Sequence, residues 1–344
     1  MKKSNNDFRY VFTSVTRNSD LEQGFEYEPL DKEHWSNGDF VLCRVTKIGG
    51  STVKAELPNG RMMLMMEGDL VIGAFGVRHA TLEATGTWKE IGNDRGMHLL
   101  TGAGLIGKMT SRSAFVTKLV ELEYLGHIFK EGVKKNMLDY TKPLFDLPFN
   151  MPVILFVGTS MSSGKTTSAR IVARQLKRMN HKVACAKLTG AGRYRDIISV
   201  KDAGADYVCD FIDAGLPSSI CPPDDYAKAL KIMLGLLAKG DADIAVVEIG
   251  ASPLEPYNGA TAIQAIRDNV VCTILCASDP YAVLGVMEGF GIRPDIVSGP
   301  AVNTIAGVEL IRKLCKVDAL NLIERKNLPV LRGILEDIMS GVSH

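Results

Sequence analysis

The chain has 344 residues, 46% of them hydrophobic and 23% charged, with 40 basic against 39 acidic side chains. Basic and acidic residues balance in the first 150 positions as they do in the rest, so neither half is a basic nucleic-acid binder, and the apolar content excludes large-scale disorder. The longest apolar runs, such as Val153 to Val157, are far short of the ~18 residues that cross a bilayer, and the length corresponds to two domains at ~100–200 residues each.

The N-terminus is basic but has no apolar stretch after it, so it does not read as a secretory signal. Seven cysteines at 43, 185, 209, 221, 272, 276 and 315 form no CxxC pair and read as reduced, mostly buried thiols of a cytoplasmic protein without a zinc site. Neither a nucleic acid nor a membrane is an expected partner.

Residues 1–36 are polar and show no period. Strand-like runs then follow at Phe40–Val45, Ser51–Leu57, Arg61–Met66 and Leu70–Phe75, punctuated by Gly49-Gly50, Asn59-Gly60 and Gly68-Asp69. Asn-Gly between two β-rich runs is a strong hairpin signal. Further short β-like runs come near 81–86, 104–110 and 116–124, and no helical period is convincing before residue 130. Short strands with regular turn signals predict a small β-rich, barrel-like domain over residues 1–146. The Met62–Met66 cluster falls in a hairpin strand, where packing explains it better than a soft metal does.

Two prolines, Pro148 and Pro152, mark residues 146–152 as a linker. Beyond it the pattern changes. Strands are expected at Val153–Val157, Val183–Ala186, Asp243–Glu248, Val270–Cys276, Asp295–Val297 and Ala319–Leu322. Helices are expected at Thr166–Met179, with Ala169, Val172, Leu176 and Met179 on one face, and at Tyr226–Leu237 and Gly307–Cys315. Alternating short strands and helices predict an α/β domain with a parallel sheet over residues 153–344.

The strongest signal is Gly158-Thr159-Ser160-Met161-Ser162-Ser163-Gly164-Lys165-Thr166-Thr167, which follows an apolar strand and opens an amphipathic helix. That is the context of a phosphate-binding P-loop. Small residues let the loop wrap close to phosphates, its backbone N–H groups point inward, and the helix N-terminus adds its positive end. Lys165, expected to be solvent-accessible, would reach the β- and γ-phosphates, and the Thr166 hydroxyl would ligate Mg²⁺. The strict spacing is not kept, because Thr159 stands where glycine is usual and five residues separate Gly158 from Gly164.

Gly158-Thr159 followed by Gly164-Lys165-Thr166 resembles dethiobiotin synthetase, a member of the SIMIBI class of P-loop NTPases. That class also contains the molybdopterin-guanine dinucleotide accessory protein B, nickel-insertion GTPases and amidotransferases of corrin synthesis. The resemblance covers roughly residues 151–300, departs at Ser160, where that family has Asp, and leaves the N-terminal half unmatched. In that respect the chain looks closer to P-loop proteins with a small β domain in front.

Asp243–Glu248 is an apolar strand ending in a carboxylate. Such an end lies beside the P-loop in parallel sheets, and Mg²⁺ takes hard oxygen ligands, so Glu248 is the expected Walker B carboxylate. The Val-Glu-Gly run of dethiobiotin synthetase agrees with it. The resemblance also implies substrate contacts at Lys187, Thr189 and Gly190, and a second metal carboxylate among Asp196, Asp202 and Asp213. Asp213 is preferred, at the end of an apolar run. Lys187 near a γ-phosphate could stabilise an attacking anion or the transferred group. The loop 250–259 brings Ser252, Glu255, Tyr257 and Asn258 to the same sheet edge, either as substrate contacts or as surface turn chemistry.

No Asn-Lys-x-Asp guanine signature is present, although Asp279 could supply a guanine-reading carboxylate and Asn303 lies near a helix start. ATP with Mg²⁺ is the expected cofactor pair and GTP the alternative. The expected function is an ATP-dependent, homodimeric enzyme of ligase or kinase type. It would transfer the γ-phosphoryl group to, or activate, a small carboxylate- or amine-bearing metabolite through Lys165, Lys187 and Glu248. The alternatives are a regulatory NTPase or metallocentre chaperone acting on a protein client, and an acyl-transferring P-loop enzyme.

Overall fold

The structure is a computed structural model that describes residues 2–3, 9–49 and 54–342. Its contacts divide into two compact units. One comprises Met1–Pro143 with Ala191–Arg195 and Phe211–Ile220, and the other comprises Leu144–Gly190, Asp196–Asp210 and Cys221–His344. Among the described residues no helix is long and apolar enough to cross a membrane. Each cysteine is a free thiol, and only Cys221 is less than fully buried.

In the first unit five strands close on themselves: β1 (Phe40–Lys47), β2 (Leu70–Phe75), β3 (Gly96–Leu99), β4 (Leu105–Arg112) and β5 (Glu121–Lys130). β5 pairs with β1, β1 with β2, β4 with β3 and β3 with β5, all antiparallel, while β2 and β4 run parallel. The ring is therefore a small barrel, and closure removes the exposed edges of its central strands. Trp35, Val41, Cys43, Val71, Phe75, Met97, Leu99, Ile106 and Leu122 fill its core. Asn59-Gly60 turns a hairpin of Lys54–Glu56 against Met62–Leu64, with Gly60 at φ +82°. Met63 and Met65 of the methionine cluster are buried packing residues. Position 50 of the Gly49-Gly50 turn and positions 51–53 of the following run lie outside the described residues. β3, which completes the ring, was not foreseen, because Gly-Met-His-Leu is too short and too mixed to show a period of two. Tyr10–Phe12, parallel to β2, and Glu26–Glu28, paired with β5, likewise lie in the stretch that read as irregular.

A buried polar knot sits at the start of β1. Asp39 accepts from Ser36 N, Lys134 Nζ and Asn136 Nδ2, and His127 Nε2 lies 3.3 Å from its Oδ2. The Tyr124 hydroxyl bonds His127 Nδ1 and accepts from Leu30 N.

The second unit is a seven-stranded parallel sheet. In chain order its elements are β6 (Val153–Gly158), α1 (Lys165–Arg178), β7 (Val183–Thr189), α2 (Tyr194–Asp202), β8 (Tyr207–Asp210), α3 (Pro223–Lys239) and β9 (Ile244–Ile249). Then come α4 (Gly259–Ile266), β10 (Val270–Cys276), α5 (Pro280–Phe290), β11 (Ile296–Ser298), α6 (Ile305–Cys315), β12 (Asp318–Ala319) and α7 (Leu328–Val342). The first two residues of α2, Tyr194 and Arg195, belong to the first unit by their contacts. The strand order is β8-β7-β9-β6-β10-β11-β12. β6, β7 and β9 are buried along their whole length, which explains their near-continuous apolar sequences. α1 buries Ala169, Val172, Ala173 and Leu176, at about 1.5–3 kcal/mol for each large aliphatic side chain. The segment after Pro143 lies along α3. A Cβ on Gly235 would stand 2.2 Å from Phe145 O, Lys239 Nζ lies 4.0 Å from the Phe145 ring centroid, and Lys231 pairs with Asp146.

Candidate active site

β6 delivers the chain into the loop 158–164 and α1 carries it away. A Cβ on Gly158 would stand 2.5 Å from Ser163 Oγ and 2.6 Å from Lys165 Nζ, so only glycine allows the loop to fold back over its own lysine. Ser162 (φ +63°) and Gly164 (φ +94°) are both left-handed, the alternation that turns successive N–H groups toward one side. Gly164 occupies the N-cap of α1 without a side-chain cap, leaving the first N–H groups for an anion. Thr159, in the position usually given to glycine, anchors the loop. Its N–H donates to Cys276 O and its hydroxyl accepts from Ser278 N.

Lys165 differs from the sequence expectation of a solvent-accessible side chain. It is 3% exposed, with Nζ donating to Ser160 O at 2.7 Å and lying 3.4 Å from Ser163 Oγ. A buried cation needs acceptors, and the loop carbonyl of Ser160 supplies one. Burial lowers its pKa, against the pull of Glu248.

Thr166 Oγ1 donates to Glu248 Oε2 at 2.9 Å, because β9 is the direct neighbour of β6. Across the adjacent strands Asp210 on β8 is in register with Lys187 on β7, and Lys187 with Glu248 on β9. Residues in register across parallel strands share a face, so an acid, a base and an acid stand in a row at the carboxyl edge. Asp196, in the first turn of α2, pairs directly with Lys187. Burial opposes the Lys187 charge, but Asp196, Glu248 and Asp210 outweigh it and hold its pKa above the usual value. Burial raises Glu248, against Lys187 and Lys165. A Cβ on Gly190 would stand 3.1 Å from Lys187 Cε and one on Gly250 2.7 Å from it, so two glycines wall the lysine stem.

Asp213 belongs to the first unit, whereas Lys187, Asp196, Asp210 and Glu248 belong to the second. β8 ends three residues earlier, at Asp210, and the chain from Phe211 to Ile220 belongs to the first unit. There the Asp213 carboxylate lies 3.4 Å from Arg17 and accepts from Asn18. The apolar run that suggested a strand end is buried, but its last residues pack in the barrel unit. The carboxylates beside Lys187 are Asp196, which the sequence offered without preference, and Asp210, which it passed over.

The remaining candidates divide. Thr189 and Gly190 lie at the Lys187 edge, where the Thr189 hydroxyl accepts from Gly250 N. In the loop 250–259, Ser252 N donates to Glu255 and the Ser252 hydroxyl accepts from Leu254 N, while Asn258 donates to Cys221 O. Tyr257 is fully buried. The Ser252 bonds are turn chemistry within the loop, and the Asn258 bond ties the loop to Cys221 outside it.

The residues fit a magnesium nucleotide. The loop offers backbone donors, a lysine and a helix N-terminus, and Thr166 with Glu248 offers adjacent hard oxygens. Among the described residues no group of three or more His, Cys, Asp and Glu could hold a metal alone, so phosphate and water oxygens would complete the shell.

No family model and no curated protein matches the chain. Solved structures that resemble it include the signal recognition particle receptor FtsY from Elizabethkingia anophelis, at 17% identity over 53% of this chain and 61% of that one, with a TM-score of 0.36. HypB from Helicobacter pylori in complex with nickel is matched at 17% identity over 56% and 88%, with a TM-score of 0.38. A DUF1611 family protein from Anabaena variabilis is matched at 15% over 58% and 63%, with a TM-score of 0.37. The chain spans about three-fifths of the FtsY structures. At these identities and scores no property of those proteins carries over to this chain. The all-parallel sheet, the loop 158–167 between β6 and α1, and Glu248 on the neighbouring strand make the second unit a P-loop NTPase fold, in keeping with the SIMIBI resemblance of its loop sequence.

Proposed function

We propose that the protein is a Mg²⁺-dependent, ATP-using enzyme that transfers the γ-phosphoryl group to a small carboxylate- or amine-bearing metabolite, or activates it. The observation that supports this reading is the second buried lysine. Lys187 stands in register with Glu248, which bonds the P-loop Thr166, and it is walled by Gly190 and Gly250. A cation fixed there adds to Lys165 an electrostatic donor on the far side of the metal carboxylate, where a transferred group would develop charge. Simple phosphate binding does not need it.

In this reading Lys165 and the loop N–H groups hold the phosphates, and Thr166 with Glu248 holds the metal. When bound, the metal supplies charge neutralisation to the phosphates. ATP is favoured over GTP because Asp279, the carboxylate best placed in sequence to read guanine, is engaged as the cap of α5. It accepts from Tyr281 N, Ala282 N and the Ser278 hydroxyl.

The test is Lys187→Met, assayed for Mg·ATP affinity and for ATP turnover with and without metabolite pools. Methionine keeps much of the stem and removes the charge. Affinity should stay within about threefold while pool-dependent turnover falls roughly 100-fold, the scale of one lost electrostatic donor. A variant equal to the parent protein with every pool would remove Lys187 from the reaction and favour a hydrolytic switch.

A further inference from the structure

The Ser163 carbonyl, in the loop 158–164, faces the turn that leaves β11. A Cβ on Gly299 would stand 2.4 Å from Ser163 O, and one on Gly164 would stand 3.4 Å from Gly299 Cα and 3.6 Å from Pro300 Cδ. Gly299 is at φ +86° and ψ −165°, a region essentially confined to glycine. Its neighbours are pinned to the residue after β10, so it cannot retreat: Ser298 O accepts from Ala277 N, and Ala301 N donates to Ala277 O. Pro300 then opens a 3-10 turn in which Val302 N donates to Gly299 O. The other end of the loop rests on the same corner, through Thr159 on Cys276 O and Ser278 N. All of these residues belong to the second unit.

We infer that Gly299 is a positioning residue for phosphate binding: by receiving the Ser163 carbonyl it sets the direction of the Gly164 N–H. The two groups belong to one peptide plane, and in a trans peptide the C=O and N–H point opposite ways. No peptide bond among the described residues is cis. The carbonyl faces Gly299, so the N–H faces away from the β11 corner. A side chain at position 299 would push on the carbonyl, turn the plane and swing the N–H off its line. Gly164 is the N-cap of α1, so a turn of that plane also moves the entry to the helix whose first N–H groups face an anion. A glycine far downstream of the loop thus fixes one of the loop's own donors. The inference rests on the nucleotide binding proposed above, and the experiment separates the two.

The experiment reads the Gly164 amide in the full-length chain. Serine labelled with carbon-13 at the carbonyl, together with nitrogen-15 glycine, selects Ser-Gly peptides by NMR, and the sequence has three, ending in Gly164, Gly299 and Gly341. In the parent protein Mg·ATP should move the Gly164 amide downfield, as a charge-assisted bond does, and leave Gly341 in place. In Gly299→Ala the Gly164 signal should be displaced before nucleotide is added and should move less on addition. Calorimetry should show Mg·ATP affinity lower by about tenfold, the scale of one misdirected charge-assisted bond. Gly291→Ala is the control. Gly291 is also left-handed, at φ +73°, but no neighbour lies within 4 Å of its Cβ, so the variant should lose melting temperature and keep affinity within about threefold. A folded Gly299→Ala that binds within threefold of the parent protein overturns the inference. So does an equal loss in Gly291→Ala, or a parent Gly164 amide that ignores bound Mg·ATP. If Gly299→Ala does not fold, Pro300→Ala, which removes the ring beside Gly164, should shift the same amide and weaken binding more than threefold; no change in either overturns the inference. A parent protein that binds no Mg·ATP refutes the proposed function and this inference with it, whereas binding that is indifferent to position 299 refutes the inference alone.

Discussion

Lys165→Met separates what the P-loop lysine does for folding from what it does for binding. In the structure the ammonium makes one 2.7 Å bond to Ser160 O and a longer one to the Ser163 hydroxyl. Each is worth about 1.5–3 kcal/mol for a charged donor. Against them stands the cost of keeping a cation where only 3% of the residue is exposed, several kcal/mol per ion after relaxation. The two contributions nearly cancel, and methionine fills much of the space of the stem. The unliganded protein should therefore keep its stability to within about 2 kcal/mol, or roughly 6 °C in melting temperature. Binding has no such compensation. A phosphate takes over the acceptor role, and losing one charge-assisted bond of about 1.5–3 kcal/mol weakens Mg·ATP affinity roughly 10- to 100-fold. Differential scanning fluorimetry gives the first quantity and isothermal titration calorimetry the second. A folded variant that binds Mg·ATP within threefold of the parent protein would refute the assignment of the loop.

Glu248→Gln should leave nucleotide affinity nearly intact but raise the Mg²⁺ concentration needed for half-maximal turnover, because an amide is a poorer hard-oxygen ligand; an unchanged Mg²⁺ titration would count against the metal role. Gly250→Ala places a methyl 2.1 Å from Thr189 O, a backbone clash that should cost about 1–3 kcal/mol and lower turnover through displacement of Lys187; a melting temperature and rate equal to the parent protein's would contradict the packing. Acid should loosen the barrel unit in two stages. Burial lowers the His127 pKa against the pull of Asp39; burial works against the Asp39 charge, but His127, Lys134 and Asn136 lower its pKa overall. For groups lowered in the fold, the unfolded chain binds more protons, so stability is lost as pH falls, first below 6.5 for the histidine and then below 3.8 for the aspartate. Melting temperatures between pH 7.5 and 4 should show the first stage, and His127→Gln should flatten it; an unchanged slope would exclude His127 as its source.

The P-loop unit was legible because its signals are local. A strand, a Gly/Ser loop, Gly164-Lys165-Thr166 and an amphipathic helix are contiguous, and each central strand carries an apolar run because both its faces are buried. Glu248 could be reached from sequence for the same reason, as the acid closing one such run. The barrel was legible as a class, from Asn59-Gly60 and the spacing of short strands, but not its closure. β3 has four residues, and the pairing that closes the ring sets Gly96 against Glu123, a separation no local period reports.

Only the tertiary structure could choose among Asp196, Asp210 and Asp213. All three follow Lys187 in chain order, and sequence alone gives no measure of where β8 stops. The register of β7 against β8 puts Asp210 beside Lys187, the first turn of α2 puts Asp196 on it, and Asp213 falls in Phe211–Ile220, a segment of the barrel unit. The burial of Lys165 was likewise beyond the sequence, since it depends on how the loop brings the Ser160 carbonyl to the ammonium. Sequence determines what can be read within a few residues. Which distant charges meet is decided when the chain closes on itself.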